Sequence, residues 1–230
     1  MVVHQQHISK GLLMCCGVIR SYILTEGDGM AALGDLLFYR RDQIGLDDFL
    51  RHQIGLLRGK VDSLSDKFFS EKSDDEIATH IAKEQSIQPL IVDFDAAKPG
   101  VQETQVEVQD QFGFNRGPIR VPGLLATKSI PFKGDPGLWS LRTNPFNMNP
   151  PRGEVRGSTL VIGISVPTQQ ADEGARYIAQ VIAQIPEYLQ RQEAQIAQYN
   201  ASLASQAMQW IKVRRQRLGS ASDLLKKLGG

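Results

Sequence analysis

The stretch that decides the fold is IAQVIAQIPEYLQRQEAQIAQYNASL, residues 178–203. Its apolar residues recur at steps of three and four, which is the spacing of a helix with one apolar face. Pro186 and Asn200 interrupt this pattern, so the stretch predicts either one long helix or a helical hairpin. The apolar face consists of Ile178, Val181, Ile182, Ile185, Leu189, Ile196, Tyr199 and Leu203.

The residues before this helix predict a sheet. Leu90–Val92 is a short apolar run typical of a buried strand, and VQETQVEVQD at residues 101–110 alternates apolar and polar side chains as a half-exposed strand does. Residues 119–132 and 158–166 supply further strands. Four or five strands joined by hairpins form a mostly antiparallel sheet.

The N-terminal half predicts short helices. Residues 30–72 carry leucine, isoleucine and phenylalanine at helical spacing with several glycines between them, which favours two or three short helices. Ser73, followed by Asp74, Asp75 and Glu76, predicts a capped helix that ends near Gln85. The predicted class is therefore α+β, with N-terminal short helices, a sheet of four or five strands and a long C-terminal helix or helical hairpin.

Length and composition suggest how the chain is organised. With 230 residues, of which 41% are hydrophobic and 22% charged, it can bury a substantial core. We expect residues 1–29 to be an extension that need not be structured, residues 30–168 to form an α+β body, and residues 169–230 to form a helical element packed on that body. The thiols Cys15 and Cys16 are adjacent and give no disulfide framework, which indicates a cytoplasmic protein. The apolar run Gly11–Leu24 is too short for a membrane span and contains Arg20.

The formal net charge of +1 hides an uneven distribution. Residues 60–110 carry five Lys or Arg against twelve Asp or Glu, whereas residues 111–170 carry seven against two. Such a division indicates either a surface that binds a polyanion or two parts of the chain that attract each other.

One basic run on the C-terminal helix is the candidate binding site. The run KVRRQR contains no acid, and its cations Lys212, Arg214, Arg215 and Arg217 could contact DNA, RNA or an acidic partner. The alternative is a solvated helix-end cluster, which the helix dipole favours. Trp210 is predicted to be a buried anchor beside this run, and the arginines are predicted to lie on the surface.

Catalytic patterns are weak. Asp93 and Asp95 follow a predicted strand and, with Glu107 on the next strand, form an alternative Mg²⁺ site of a nuclease. A restriction-type nuclease also needs a lysine two residues after the acid on that next strand, but Glu107 is followed by Val108 and Gln109. The sequence has no Walker lysine motif, no Rossmann glycine fingerprint after a strand and no Gly-x-Ser-x-Gly elbow. We therefore assign no catalytic residue and no cofactor.

Four segments together resemble a bacterial family. They are SDDEIATHIAKEQSIQPLIVD, PFKGDPGLWSLRTNPFNMNPPRGEV, TLVIGISVP and EYLQRQEAQIAQYNASLASQAMQWIKVRRQRLGSASDLLKKLG, and the resemblance covers residues 30–228. In that family, a module of this kind is followed by a domain similar to the PD-(D/E)xK nucleases, in restriction-like defence proteins. The resemblance implies a nuclease domain or subunit as partner and transfers no catalytic residue to this chain.

Three functions follow from these observations. The favoured one is a non-catalytic accessory or sensor module that docks to a nuclease domain or subunit and contacts nucleic acid through the basic run. The second is a metal-dependent nuclease that uses Asp93, Asp95 and Glu107. The third is a structural module that forms homo-oligomers through the apolar face of residues 178–203. None of the three involves a membrane.

Overall fold

The computed structural model describes residues 23–24, 29–39, 45–109, 117–145 and 149–229. These residues form an α+β fold with short N-terminal helices, an antiparallel sheet and one long C-terminal helix, which confirms the predicted class. The helices are α1 (Leu46–Ser63), α2 (Asp66–Glu71), α3 (Asp74–Gln85) and α4 (Ala171–Lys227). The strands are β1 (Ile23–Leu24), β2 (Ala31–Ala32), β3 (Asp35–Leu36), β4 (Ile91–Val92), β5 (Lys98–Gln109), β6 (Pro118–Lys133), β7 (Arg152–Arg156) and β8 (Thr159–Pro167).

Contacts group the chain into two compact units. Unit 1 consists of residues 1–44 and 89–191, and unit 2 consists of residues 45–88 and 192–230. Unit 1 therefore holds the sheet, and unit 2 holds α1, α2 and α3. The division of the chain at residues 29 and 168 stays a prediction. Most of the predicted extension lies outside the described residues, although β1 belongs to it and pairs with β2.

The sheet of unit 1 is organised around β6. On one side, β6 pairs with the whole of β5, from Lys98 opposite Ser129 to Gln109 opposite Pro118. On the other side it pairs with β8, and β8 in turn pairs with β2 and β7. Every pairing of the described strands is antiparallel. All residues of β8 after Thr159 are buried, so both faces of this strand are covered.

Residues 30–39 differ from the prediction. The helical spacing of their leucines predicted a helix, but the structure contains the short strands β2 and β3. Gly34 has a φ of +82°, which a helix cannot accommodate. The N–H of Leu33 donates to the carbonyl of Gly163 at 2.8 Å instead of to a preceding turn. Pairing with β8 therefore overrides the local spacing.

A cluster of aromatic side chains fills part of the core of unit 1. The ring of Phe38 stacks on that of Tyr188 with centroids 4.8 Å apart and lies 5.2 Å from that of Trp139. Phe132 meets Trp139 edge to face at 5.5 Å. Phe38 has a φ of +54°, a strained conformation for a bulky residue. The burial of its ring within this cluster offsets that strain.

Helix α4 is one continuous helix and not a hairpin. It passes through Pro186 and Asn200 without ending, and a 3₁₀ turn at Thr168–Gln170 leads into it. Thr168, the predicted N-cap, instead donates its hydroxyl to the carbonyl of Pro122 at 3.2 Å. The apolar face of α4 is buried within the chain. Ile178, Val181, Ile185 and Tyr188 are buried in unit 1, and Ile196, Tyr199 and Leu203 are buried in unit 2.

Unit 2 packs α1, α2 and α3 with the second part of α4. The predicted cap of α3 is confirmed: the Ser73 hydroxyl accepts from the N–H of Glu76 at 3.3 Å, and the Glu76 carboxylate accepts from the N–H of Ser73 at 2.9 Å. That backbone hydrogen bond, with Lys72 nearby, lowers the pKa of Glu76. The core residues are Leu46, Phe49, Leu50, Leu57, Val61, Phe69, Ile77, Ile81, Ile196, Tyr199, Leu203, Ala207 and Ile211.

The end of α3 is tied to α4 by a buried tyrosine. The hydroxyl of Tyr199 donates to the carbonyl of Gln85 at 3.2 Å. This carbonyl belongs to the last residue of α3, where backbone acceptors lack partners within the helix. Burial raises the pKa of Tyr199 to about 12, so the ring stays neutral at physiological pH and keeps its donor.

Candidate functional site

The basic run lies on α4 within unit 2, and its most buried member is Arg214. The side chain of Arg214 is 11% exposed. It donates to the carbonyl of Val61 at 2.5 Å and to the carboxylate of Asp66 at 3.0 Å. Its guanidinium group also lies over the ring of Phe69, 4.7 Å from the centroid. Arg214 therefore binds the end of α1 and the start of α2, and its donors are directed inward.

Arg215 is engaged in the same way with the next helix boundary. It donates to the carbonyl of Phe69 at 3.0 Å and to that of Lys72 at 2.8 Å, and its Nε is hydrogen-bonded to the carboxylate of Asp74. Phe69 and Lys72 lie at the C-terminal end of α2, where a cation stabilises the helix dipole. Arg215 therefore caps α2 from the side of α4.

Lys212 and Arg217 are the exposed members of the run. Lys212 is exposed to solvent. The side chain of Arg217 is 53% exposed and forms an ion pair with Asp62 at 2.5 Å. Two of the four predicted cations thus remain on the surface, and each of the three arginines faces an aspartate. Because a bound carboxylate reduces the charge offered to a phosphate, the run is a weaker polyanion site than its sequence indicates.

The sequence carried a signal for these ion pairs. Asp62, Asp66 and Asp74 all belong to residues 60–110, where acids exceed bases by twelve to five. Attraction between oppositely charged parts of the chain was one explanation of that excess, and within unit 2 these aspartates meet the arginines of α4. Which acid meets which arginine could not be read from the sequence, because they are about 140–155 residues apart.

Trp210 is less buried than predicted. Its side chain is only partly covered, whereas the neighbouring Ile211 is fully buried. The guanidinium of Arg58 lies over the indole, 5.3 Å from the centroid. The anchor beside the basic run is therefore Ile211, and Trp210 covers the border of unit 2 in a cation–π contact.

The three acids of the alternative metal site lie apart from one another. Asp93 and Asp95 are exposed and precede β5, and the Asp93 carboxylate accepts from the N–H of Ala96 at 3.0 Å. Glu107 lies near the other end of β5, roughly 30 Å away along the strand, and pairs with Arg120 at 3.2 Å. Among the described residues, no group of three or more His, Cys, Asp or Glu side chains could hold a metal ion.

A second surface, which the sequence analysis missed, lies at the end of α4. The buried face of α4 in unit 2 continues at steps of four and three through Ala207, Ile211, Arg214, Leu218, Ala221, Leu225 and Leu228. Beyond Leu218, however, the same face is exposed: the side chains of Leu224, Leu225 and Leu228 are 57%, 63% and 75% exposed. We call Leu218, Ala221, Leu224, Leu225 and Leu228 the terminal apolar stripe. The heptad-like spacing of these residues was the available signal.

The terminal apolar stripe is broad and has lysines near both borders. At about 100° per residue, its five members fall within an arc of about 120°. Lys226 lies beyond one border and Lys227 beyond the other, and both are exposed. Asp223 lies on the opposite side of the helix, 4.0 Å from Lys226. The end of α4 therefore offers an amphipathic surface with basic flanks.

Comparison with known proteins gives no relative for this chain: no protein-family model, curated protein or solved structure matches it. The described helices include none with the length and apolar character that crossing a membrane requires.

Proposed function

We propose that this chain is a non-catalytic accessory module that docks to a nuclease domain, either in the same polypeptide or as a separate subunit. The observation that carries the proposal is the terminal apolar stripe: large leucines are exposed on a well-formed helix whose preceding residues pack in unit 2. Exposed apolar patches with a polar border are typical of surfaces that bind another protein. The nuclease as partner comes from the family resemblance of residues 30–228.

The arrangement of the acids supports a non-catalytic role. Asp93 and Asp95 are separated from Glu107 by most of β5, and Glu107 is paired with Arg120. A metal-dependent nuclease holds its carboxylates around one ion, within about 2–3 Å of it. This geometry gives the chain's own nuclease reading less support than the accessory reading.

Contact with nucleic acid through the basic run is the weaker part of the proposal. Arg214 and Arg215 already bind backbone carbonyls and aspartates of unit 2, which leaves Lys212 and Arg217 as the exposed cations of the run. Two cations give weak, salt-sensitive binding to DNA or RNA. Homo-oligomer formation through residues 178–203 also has less support, because most of that face is buried within the chain.

The test compares the chain alone with the complex that it forms in its own cells. Supercoiled plasmid is incubated with Mg²⁺ or Mn²⁺ and either the purified chain or the complex isolated through a tag on the chain. We expect the complex to cleave the plasmid and the chain alone to leave it intact. Metal-dependent nicking by the chain alone that Asp93→Ala abolishes would instead establish the enzyme reading.

A further inference from the structure

We propose that the terminal apolar stripe is itself the docking element, and that its occupant is an apolar groove on the partner domain with Asp and Glu along its rim. This inference rests on the proposed function and specifies the chemistry of the partner's surface. It concerns residues 218–228, which form about three turns of helix at 3.6 residues per turn.

The width of the stripe favours a groove over a single facing helix. A two-stranded coiled coil needs only a narrow seam of two positions per heptad. Here Leu224 extends the seam formed by Leu218, Ala221, Leu225 and Leu228 to an arc of about 120°. One helix cannot cover an arc of that width, whereas a groove lined by two elements can. Ala221, near the middle of the stripe, allows the walls of such a groove to approach the helix backbone.

The length of the stripe argues against a second copy of the chain as the occupant. Eleven residues of helix extend about 17 Å, and a stable interface takes roughly 20–30 residues from each partner. A pair of such segments from two copies would bury too little surface to hold a dimer. A groove surrounds more of the same helix, so that each leucine is buried against several side chains.

The charges along the stripe define the rim of the groove. Lys226 and Lys227 lie beyond the two borders, whereas the acid Asp223 lies on the far side. Lysine side chains can lay their methylene groups on an apolar surface and direct the ammonium group to its edge. Carboxylates on both rims would meet these ammonium groups and fix the position of the helix in the groove.

Photo-crosslinking in the full-length chain tests this assignment. A benzoylphenylalanine is placed at Ser222, on the border of the stripe, and in a matched control at Asp223, on the far side; both chains are expressed in the cells that encode the protein. We expect one adduct from Ser222 and at least tenfold less from Asp223. Leu225→Glu with Leu228→Glu should reduce the Ser222 adduct at least tenfold, and Lys226→Glu with Lys227→Glu should reduce it severalfold, with an unchanged Tm.

The identity of the adduct separates the possible outcomes. A crosslinked peptide from an apolar groove with nearby Asp and Glu, and an adduct lost on charge reversal, supports the docking site. An adduct of twice the mass of the chain would show a second copy and overturn it, as would flotation on phosphatidylglycerol vesicles that Leu225→Glu abolishes. If the isolated complex cleaves DNA but Ser222 gives no adduct, the docking site is wrong and the proposed function stands. If the groove belongs to a protein without nuclease activity, the docking site stands and the proposed function fails.

Discussion

The side-chain amide of Asn200 forms two hydrogen bonds with the backbone of Ile87. The Asn200 Oδ1 accepts from the N–H of Ile87 at 3.0 Å, and the Asn200 Nδ2 donates to the carbonyl of Ile87 at 2.9 Å. One amide side chain thus satisfies both polar groups of a buried residue in the segment that follows α3. Asn200 does not break α4, as its position in the sequence suggested; it fastens this segment to the helix.

We expect Asn200→Ala to lower the free energy of unfolding by about 1–3 kcal/mol, because both polar groups of Ile87 lose their partner at a buried site. Alanine favours the helix more than asparagine does, which offsets part of this loss. Gln198→Ala is the matched control, since Gln198 is an exposed amide on the same helix. Urea unfolding of both variants gives the difference. Equal stabilities would show that the Asn200 contact contributes nothing.

Arg214→Ala should destabilise the protein by about 1.5–3 kcal/mol, because Arg214 donates charge-assisted hydrogen bonds from a largely buried position. Lys212→Ala, an exposed change in the same run, should alter stability by less than about 0.5 kcal/mol. Thermal or urea unfolding measures both. Comparable small effects would mean that Arg214 acts as the surface residue that its sequence context indicates.

Trp210→Ala should cost less stability than Ile211→Ala, although tryptophan is the larger side chain. Ile211 is fully buried, and its truncation should cost about 2–5 kcal/mol. Trp210 is only partly covered, and its main specific contact is the cation–π interaction with Arg58, for which we expect about 0.5–1 kcal/mol beyond the loss of packing. A larger loss for Trp210→Ala in parallel urea titrations would place the anchor at Trp210 after all.

Stability should fall at alkaline pH through Tyr199. The pKa of a tyrosine in the unfolded chain is about 10, and burial raises the pKa of Tyr199 to about 12 in the folded chain. The neutral ring therefore contributes stability that is fully present below pH 10 and is lost as the pH rises towards 12. Tyr199→Phe removes this titration, so its stability relative to wild type should improve between pH 10 and 12. A constant difference between the two proteins across this range, measured by urea unfolding, would contradict the assignment.

Much of the fold could be predicted from local patterns. The alternation in residues 101–110 predicted β5, the Ser73 cap predicted the start of α3, and the apolar spacing around Ile185 predicted α4. The prediction was wrong at residues 30–39, where helical spacing coincides with Gly34 and with hydrogen bonds to distant strands. Whether α4 continues past Pro186 was also beyond local reasoning, because tertiary packing stabilises a helix more than propensity does.

The candidate site was less predictable than the fold. Sequence spacing placed Lys212, Arg214, Arg215 and Arg217 on a helix, which is where they lie. It could not show that Arg214 and Arg215 are directed toward the ends of α1 and α2, because their acceptors are mostly backbone carbonyls, which every residue carries. The terminal apolar stripe was overlooked because its spacing matches that of the buried face, and exposure depends on what packs against it.

The two segments of unit 2 are made at different times. Residues 45–88 leave the ribosome about 100 residues before residues 192–230, which supply the remaining part of the core. At a synthesis rate of roughly 5–20 residues per second, α1, α2 and α3 wait on the order of 5–20 s for their partner helix. During this interval Leu57, Ile77 and Ile81 lack much of their native cover. Nascent chains stalled before residue 192 should therefore be protease-sensitive across 45–88 and recruit holdase chaperones.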